Sequence, residues 1–374
     1  MTLVAKLYSS QGVAIQTLNP SKVTLARRVG DIGEGIITVS SSEIPYSSLV
    51  RDMIITIERS VLGGNMFLEG QTVWFLRGKK LSMNKEGDTY DLYVQDNISL
   101  LRRRIIAYFA SEAETDKIDP ADDMMKAIVR ENFGTSAIAA RDISDILSVQ
   151  SDVSAGPILE REFAWRYVLP TLKEIALASE QAGTAILFDV VSTQVQSYVP
   201  NEPPFTFEFQ TFKETRGLDR RFPSGSNPLL IGPDYLNMES AEIEDDWRDE
   251  ETHLYAGGEG DDLLRLIEEV ESDLVNQSAI GRVEGWFDAP DLDVSQDLID
   301  AANGELFRRI GRTKIRGNLA GDLKNRWGVA VGYGDFVTAQ VRGHSVDCRL
   351  NAYQFDYDRE TGFDVKVVLE GEGS

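Results

Sequence analysis

Apolar and polar residues alternate through the first 94 positions, which predicts a strand-rich opening. Met53, Ile55 and Ile57 recur at every second position, as in a strand with one buried face. Two apolar and aromatic runs then flank the polar residues 84–88, which predicts a hairpin that turns at those residues. We therefore expect strands throughout residues 13–94.

Apolar residues at three- to four-residue spacing predict helices further along the chain. In the clearest case Pro120 takes the first helical position and Gly134 ends the helix. Its expected buried stripe is Met125, Ile128, Val129 and Phe133. Helices are expected in residues 99–109, 119–134, 160–183, 261–275 and 291–311.

The remaining apolar segments are short and alternate, so they predict further strands. We expect them in residues 184–191, 204–212 and 281–289, and three more after residue 336. Residues 241–260 are expected to form two strands joined by an acidic turn. The chain then divides into residues 1–95, strand-rich; 96–182, helical and connecting; 183–285, strand-rich with long loops; and 286–374, a helix followed by strands.

Composition places the chain among globular proteins with a sizeable core. It is 42% hydrophobic and 26% charged, and it has five Trp, which suggests two or three domains. No segment provides the roughly 20 apolar residues of a membrane-spanning helix. Residues 331–336, with the sequence VGYGDF, therefore do not form a potassium-channel filter. The N-terminus lacks a secretory signal, so we expect no secretion by that route.

The formal charge of -23 argues against a conventional nucleic-acid binder. Duplex DNA is densely negative, and its binders need basic clusters that release counterions. Solubility is the ordinary explanation of an acidic surplus. The other explanation is a surface that DNA passes without adhering.

Motifs of catalysis, cofactor binding and metal binding are missing from the sequence. His253 and His344 lie 91 positions apart without zinc-site spacing, and we expect surface or turn positions for both. Cys348 falls on the apolar face of a strand, which indicates a core role. No glycine-rich phosphate loop or nucleophile elbow is present. We therefore predict no catalytic, cofactor-binding or metal-binding residues and no enzyme activity.

The C-terminal third combines an acidic aromatic motif, a helix and a Gly-Asp step that leads into three strands. Gly334 and Asp335 form that step. The first motif consists of Arg282, Glu284, Phe287, Asp288, Ala289 and Asp291. This succession resembles the tail-hub proteins of long-tailed siphophages, which are baseplate-hub-like, tail-associated proteins. Residues 281–373 carry the resemblance best, although Pro290 stands where the family often has Arg.

The resemblance implies an α+β, β-rich fold with two related β-barrel, tail-tube-like domains and inserted helical and β subdomains. Residues 1–95 would form the first barrel region, and residues 286–374 would supply a helix and C-terminal barrel strands, so the barrels would be assembled from discontinuous segments. A homotrimer would form a ring at the distal end of the virion's tail, after assembly in the host cytoplasm. That ring would join the distal tail protein to a central tip or fibre protein. Its lumen would hold the tape-measure protein before DNA passes.

Two further expectations depend on the resemblance. Carboxylates of residues 242–251 would line the lumen and repel DNA across the screening length of about 8 Å at physiological salt. The glycines of residues 331–336 would shape the entrance to a barrel strand. From its length beside the resemblance we also expect no large C-terminal lysozyme, protease or receptor-binding extension. The alternatives are a hub of a contractile tail or related injection device, and a tail component that binds or hydrolyses the cell wall.

Overall fold

The computed structural model describes residues 3–61, 64–85, 87–107, 115–163, 165–194, 205–290 and 292–371. Strands predominate over helices in these ranges, so the β-rich character is confirmed. The strands form one long sheet and three small sheets.

The first eight strands confirm the strand-rich opening. The hairpin turn between the seventh and eighth strands falls at the predicted residues. The fifth strand differs from its alternating prediction, because all seven of its residues are buried. The strands are β1 (Leu3–Tyr8), β2 (Ala14–Leu18), β3 (Lys22–Arg28), β4 (Glu34–Ser40), β5 (Ile54–Ser60), β6 (Met66–Leu68), β7 (Trp74–Ser82) and β8 (Thr89–Asp96).

Two helices and five strands form the middle of the chain. They are β9 (Thr115–Pro120), α1 (Ala121–Phe133), β10 (Leu147–Val149), β11 (Ile158–Phe163), α2 (Val168–Gln181), β12 (Ile186–Gln194) and β13 (Phe205–Lys213). The predicted stripe of α1 is buried, and Gly134 ends the helix with its N–H 2.9 Å from the carbonyl oxygen of Arg130. Pro120 was predicted as the first helical residue, but it is the last residue of β9.

The last part of the chain returns to strands. Its elements are β14 (Asp219–Arg220), β15 (Leu230–Ile231), β16 (Met238–Asp245), β17 (His253–Gly257), β18 (Ile267–Glu271), β19 (Glu284–Asp288), α3 (Ser295–Arg309), β20 (Thr313–Leu319), α4 (Gly321–Asn325), β21 (Phe336–Val341), β22 (His344–Asp358) and β23 (Gly362–Gly371). The predicted helix before the last strands and the three terminal strands are confirmed.

The long sheet joins both ends of the chain. Its order is β16-β20-β23-β22-β3-β4-β8-β7-β5-β1-β2, and β21 pairs with one end of the long strand β22. The other end of β22 pairs with β3, so one strand links the N-terminal and C-terminal halves. The described strands form an open path without a closed ring, and the two related barrels stay a prediction.

Three apolar cores lie beneath these sheets. The first combines inward residues of β1–β8 with those of β20–β23, so the two halves share one interior. The second packs α1 and α2 against β12 and β13. The third packs α3 against the sheet β18-β17-β19, which together form the small subdomain. Burial of apolar side chains contributes roughly 1.5–3 kcal/mol for each large residue.

Three of the predicted helices are wrong in part or in whole. Residues 99–109 were expected to be helical; in their described part, which ends at residue 107, a 3₁₀ helix covers Asn97–Arg103, and residues 108–109 lie outside the described residues. In residues 160–183, the first part belongs to β11, and the helix α2 begins only at Val168. Pro170 lies in the first turn of α2, where backbone N–H groups have no acceptor within the helix, so the missing N–H of proline is tolerated. In residues 261–275, apolar residues at helical spacing form a 3₁₀ turn and β18, in which Val270 faces α3.

The two strands expected in residues 241–260 do not pair with each other. Both strands of residues 241–260 exist, but β16 pairs with β20 in the long sheet, whereas β17 pairs with β18 and β19. The acidic residues between them therefore connect two sheets.

Candidate functional site

Arg27 is the centre of a buried polar junction between three parts of the chain. It lies on β3, at an inward position of the long sheet, and its side chain is fully buried. Its Nε donates to Asp96 Oδ2 at 2.8 Å, at the end of β8. Its Nη2 donates to Asp189 Oδ1 at 3.0 Å, on β12. The first sheet half is thereby joined to the helical core.

The C-terminal half reaches the same junction through Tyr333. The guanidinium carbons of Arg27 and Arg216 lie 4.7 and 4.5 Å from the centroid of the Tyr333 ring. Arg216 Nε also donates to Asp189 Oδ2 at 2.6 Å. Two cations and two carboxylates therefore balance within the junction, as burial of charge requires.

Burial and the neighbouring charges shift the pKa values of Asp96 and Arg27. It raises the pKa of Asp96 to about 6, although the Arg27 guanidinium opposes this shift and Asp189 adds to it. Burial also lowers the pKa of Arg27, but Asp189, Tyr333 and Asp96 outweigh it and hold that pKa well above its ordinary value. Arg27 therefore stays charged, whereas Asp96 titrates near neutral pH.

A second buried ion pair links the two halves of the long sheet. Arg59 on β5 pairs with Glu69, and both side chains are fully buried. The indole Nε1 of Trp327 donates to Glu69 Oε1 at 3.0 Å, and Arg59 donates to the carbonyl oxygen of Trp327. Together the two clusters fix the relative position of the N-terminal and C-terminal halves.

The sequence step at Gly334 and Asp335 forms the predicted turn before β21. Gly334 has φ +86°, a left-handed conformation that favours glycine. The buried Asp335 carboxylate accepts from the N–H groups of Gly332 at 2.9 Å and Leu218 at 2.8 Å. Arg220 Nε also donates to it at 2.9 Å. The Asp335 carboxylate therefore holds this turn by hydrogen bonding.

A cleft of about 1150 Å³ opens beside the junction and the turn. Tyr333 and Asp335 line one side, and Gln71 and Ser192 line other parts of it. Charged groups in its wall already pair with one another, since Arg216 contacts Asp189 and Asp335 accepts from Arg220. The cleft provides a shaped surface at the meeting point of three parts of the chain.

The acidic residues predicted to line a lumen are largely paired within the chain. Glu244 lies 2.5 Å from Arg316, and Glu251 pairs with Arg309 at the end of α3. Asp246 pairs with Arg248, and the hydrogen bonds from that arginine lower the pKa of Asp246 to about 2. These contacts partly neutralise residues 242–251.

The acidic surplus of the chain is concentrated in and before the small subdomain. Residues 242–290 contain 16 Asp and Glu but only three Arg and no Lys. Their formal charge is -13 of the total -23. The segment is about an eighth of the chain, so its surface is strongly negative relative to the rest.

The motif that suggested the resemblance lies on and beside β19. Phe287 and Ala289 pack against the core of the small subdomain. Glu284 and Asp288 are exposed on the strand, at positions that pair with β17. Asp291 lies outside the described residues. The motif therefore builds a sheet and its helix contact, consistent with a structural role.

His253 was expected at the surface, but it is buried at the start of β17. Its Nδ1 and Nε2 each lie 3.3 Å from a carboxylate oxygen, of Glu271 and Glu269 respectively. Arg282 Nη1 lies 3.2 and 3.0 Å from the two ring nitrogens. The antiparallel pairing of β17 with β18 brings the two glutamates to His253, and its parallel pairing with β19 brings Arg282; separate strand predictions do not specify either pairing.

The other two predicted positions are confirmed. His344 is exposed at the start of β22, next to the turn. Cys348 is buried in the first core, and burial raises the pKa of its thiol to about 12. In the described ranges, no three His, Cys, Asp or Glu residues are grouped so that they could hold a metal ion. None of the helices there is long and apolar enough to cross a membrane.

The junction residues were missed because they belong to no motif. A weaker signal was present, since Val23, Leu25 and Arg27 occupy successive inward positions of one strand. Asp189 likewise interrupts the apolar run of β12. A charge at an inward position indicates a buried partner, but it does not identify that partner.

Known proteins share this arrangement along nearly the whole chain. The family of Siphovirus ReqiPepy6 Gp37-like proteins matches residues 19–369. The chain belongs to this family. The predicted resemblance to siphophage tail proteins is therefore confirmed. The search of curated proteins found no match to this chain.

Three solved structures of bacterial and prophage tail proteins have a similar fold. A tail protein from Neisseria meningitidis MC58 is 11% identical, with a TM-score of 0.62 over 100% of this chain and 98% of its own. The 43 kDa tail protein of prophage MuSo2 from Shewanella oneidensis is 11% identical, with a TM-score of 0.60 over 98% and 97%. Prophage tail protein gp18 from Listeria monocytogenes EGD-e is 11% identical, with a TM-score of 0.55 over 99% and 95%.

Proposed function

We propose that this family member is a structural tail protein that forms the hub at the distal end of a phage tail. The observation that carries the proposal is the shared fold, which extends over the full length of tail proteins of similar size. The buried charge clusters support it, because they join the sequence segments into one rigid frame. A structural protein that transmits load requires such a frame, whereas an enzyme requires a reactive site.

In the proposed assembly, three copies form a ring that joins the distal tail protein to the central tip or fibre protein. Each half of the long sheet would contribute one of two related barrel-like domains, so that three copies approximate sixfold symmetry. The long strand β22 would connect the two domains, since its first residues pair with β21 and its last residues pair with β3. The lumen would hold the tape-measure protein and then admit DNA.

Native mass spectrometry and electron microscopy of the purified chain test the ring. Three copies of 41.6 kDa give an assembly of about 125 kDa, with threefold symmetry and a central hole. A compact 41.6 kDa particle at all concentrations would contradict the ring. Antibody labelling of intact virions tests the location separately, because label elsewhere than the tail end would contradict the hub position.

The negative charge of residues 242–290 supports a bore that DNA passes without adhering. Like charges repel within the screening length of about 8 Å at physiological salt. The test compares duplex DNA retention by the assembled ring and by a variant in which exposed Glu242 and Asp249 carry the substitutions Glu242→Lys and Asp249→Lys. We expect retention by the variant alone. Equal retention would show that these carboxylates do not face DNA.

A further inference from the structure

Two adjacent leucines stand at the tip of an ordered loop in the small subdomain. Leu263 and Leu264 are 101% and 89% exposed. The loop joins β17 to β18, and it is closed by hydrogen bonds from Gly258 N to Leu266 O at 2.8 Å and from Leu266 N to Glu259 O at 2.9 Å. The fold therefore holds both apolar side chains in water on a defined backbone.

The backbone of the loop favours this presentation. Asp262 has φ +50° and Gly260 has φ +103°, conformations that most residues avoid. A 3₁₀ turn over Asp262–Leu264 directs the leucines outward, while Leu266 packs against the core of the small subdomain. Strained positions of this kind persist where the surrounding structure and its function require them.

Trp286 and Ile267 are further exposed apolar side chains, on the two strands that flank β17. Each is 47% exposed. The Trp286 ring covers Gly257, where a Cβ atom would lie 2.5 Å from ring carbons. Ile267 pairs directly with Gly257 on the same sheet, so it lies beside that ring. Leu263, Leu264, Ile267 and Trp286 form what we call the leucine patch.

Trp286, with Arg265 against its ring, gives the leucine patch two of the residue types that are enriched in protein-binding hot spots. The Arg265 guanidinium carbon lies 5.2 Å from the centroid of the Trp286 ring, and Arg265 pairs with Asp288. Binding hot spots are rich in Trp and Arg at the centre of an apolar contact, with a rim that excludes water. Exposed Glu259, Asp261 and Asp262 provide an acidic rim on the loop.

Charge decides between the classes of partner. An isologous contact between two copies would place one acidic rim against another, which is unfavourable. An anionic lipid surface would be repelled for the same reason. We propose that the leucine patch binds a different protein of the virion, at an apolar pocket with a Lys- and Arg-rich rim. This inference depends on the proposed function, since it requires that the chain be assembled in a virion.

Thiol labelling in assembled virions tests the proposal. Cys348 is the single cysteine of the sequence; it is fully buried, and the raised pKa of its thiol, about 12, keeps it unreactive at neutral pH. A Leu263→Cys variant therefore adds one accessible thiol. We expect its maleimide labelling rate to fall about tenfold or more from free protein to virion, because a hot-spot contact excludes water.

The matched control is Ile280→Cys. Ile280 is 97% exposed in the loop after β18, which lies at the opposite end of the same small sheet. Its labelling rate is expected to change less than about twofold, because it lies outside the proposed contact. An unchanged rate at residue 263 in virions that contain the protein would overturn the inference and leave the proposed function intact. Absence of the protein from virions would overturn both.

Cross-linking through the same thiol identifies the partner. We expect products with another virion protein at a surface that carries Lys or Arg. A product that joins two copies of this chain would overturn the proposal. The added variant Asp261→Lys tests the rim, and it should increase the labelling rate of Leu263→Cys in virions because like charges then meet across the contact. No increase would overturn the basic rim.

Discussion

Replacement of Arg27 by Met tests whether the buried junction holds the fold together. Met retains much of the apolar length of the side chain but removes its charge and all of its donors. Hydrogen bonds to three groups are lost: to Asp96 at 2.8 Å, to Asp189 at 3.0 Å and to the carbonyl oxygen of Gly70 at 2.5 Å. Two carboxylates then stay buried with only Arg216 to balance them.

The expected loss of unfolding free energy is about 3–5 kcal/mol, the range for removal of one partner from a buried ion pair. Urea unfolding followed by circular dichroism measures it. Arg28→Met is the matched control, because Arg28 is the next residue and pairs with Glu370 at 2.9 Å on an exposed surface. That exposed pair is expected to contribute about 0–1 kcal/mol.

A double variant separates the free-energy cost of the unpaired buried carboxylate from the cost of the lost packing. Asp96→Asn removes one of the carboxylates that Arg27→Met leaves unpaired, so the combination should recover about 1–3 kcal/mol relative to Arg27→Met alone. If Arg27→Met costs no more than Arg28→Met, or if Asp96→Asn adds a further loss to it, the junction does not hold the three parts together as argued.

Three other substitutions test further features of the structure. The folded-state pKa of Asp96 is raised to about 6 from 3.8, so the folded form binds the proton more tightly than the unfolded form. This group therefore raises the free energy of unfolding as pH falls through about 6, and that contribution is lost as pH rises. Asp96→Asn should remove this pH dependence, at most about 1.4 kcal/mol per pH unit, from urea unfolding measured between pH 4 and 7. Gly334→Ala should lower the melting temperature more than Gly343→Ala. Both glycines have φ near +85°, but only at Gly334 would the Cβ lie 2.6 Å from a neighbouring arginine side chain. Equal losses in thermal unfolding would exclude the close contact. Leu298→Ala should destabilise the small subdomain by about 2–5 kcal/mol, whereas Val294→Ala at the exposed start of α3 should cost under about 1 kcal/mol. Hydrogen exchange of the β17 amides measures both losses, and similar values would contradict the buried position of Leu298.

Local periodicity predicted those elements whose burial follows their own sequence pattern. The stripe of α1 and the strands β21 to β23 depend on neighbours in sequence and were found. The helix predicted in residues 261–275 was wrong. Leu263 and Leu264 belong to a set of apolar residues at helical spacing, yet their loop leaves both in solvent. Periodicity identifies a side chain as apolar, but it does not reveal whether the fold buries it.

Contacts between distant segments could not be predicted from single patterns. Arg27 meets Asp189 across 162 positions, and Arg59 meets the carbonyl oxygen of Trp327 across 268. Inward charges at Arg27 and Asp189 signal that partners exist, because an isolated buried charge is too costly. Which charges meet depends on how β3 and β5 of the long sheet are placed against distant segments such as β12, and that placement is a property of the whole fold.

The distribution of charge sets a condition on any ring of this protein. Each copy carries a formal charge of -13 in residues 242–290, so three copies would bring three strongly negative subdomains into one particle. Repulsion between them is small only beyond the screening length of about 8 Å at physiological salt. The subdomains must therefore lie apart around a wide bore, or a basic partner must lie between them. The leucine patch, with its acidic rim, provides a binding surface for such a partner on the same subdomain.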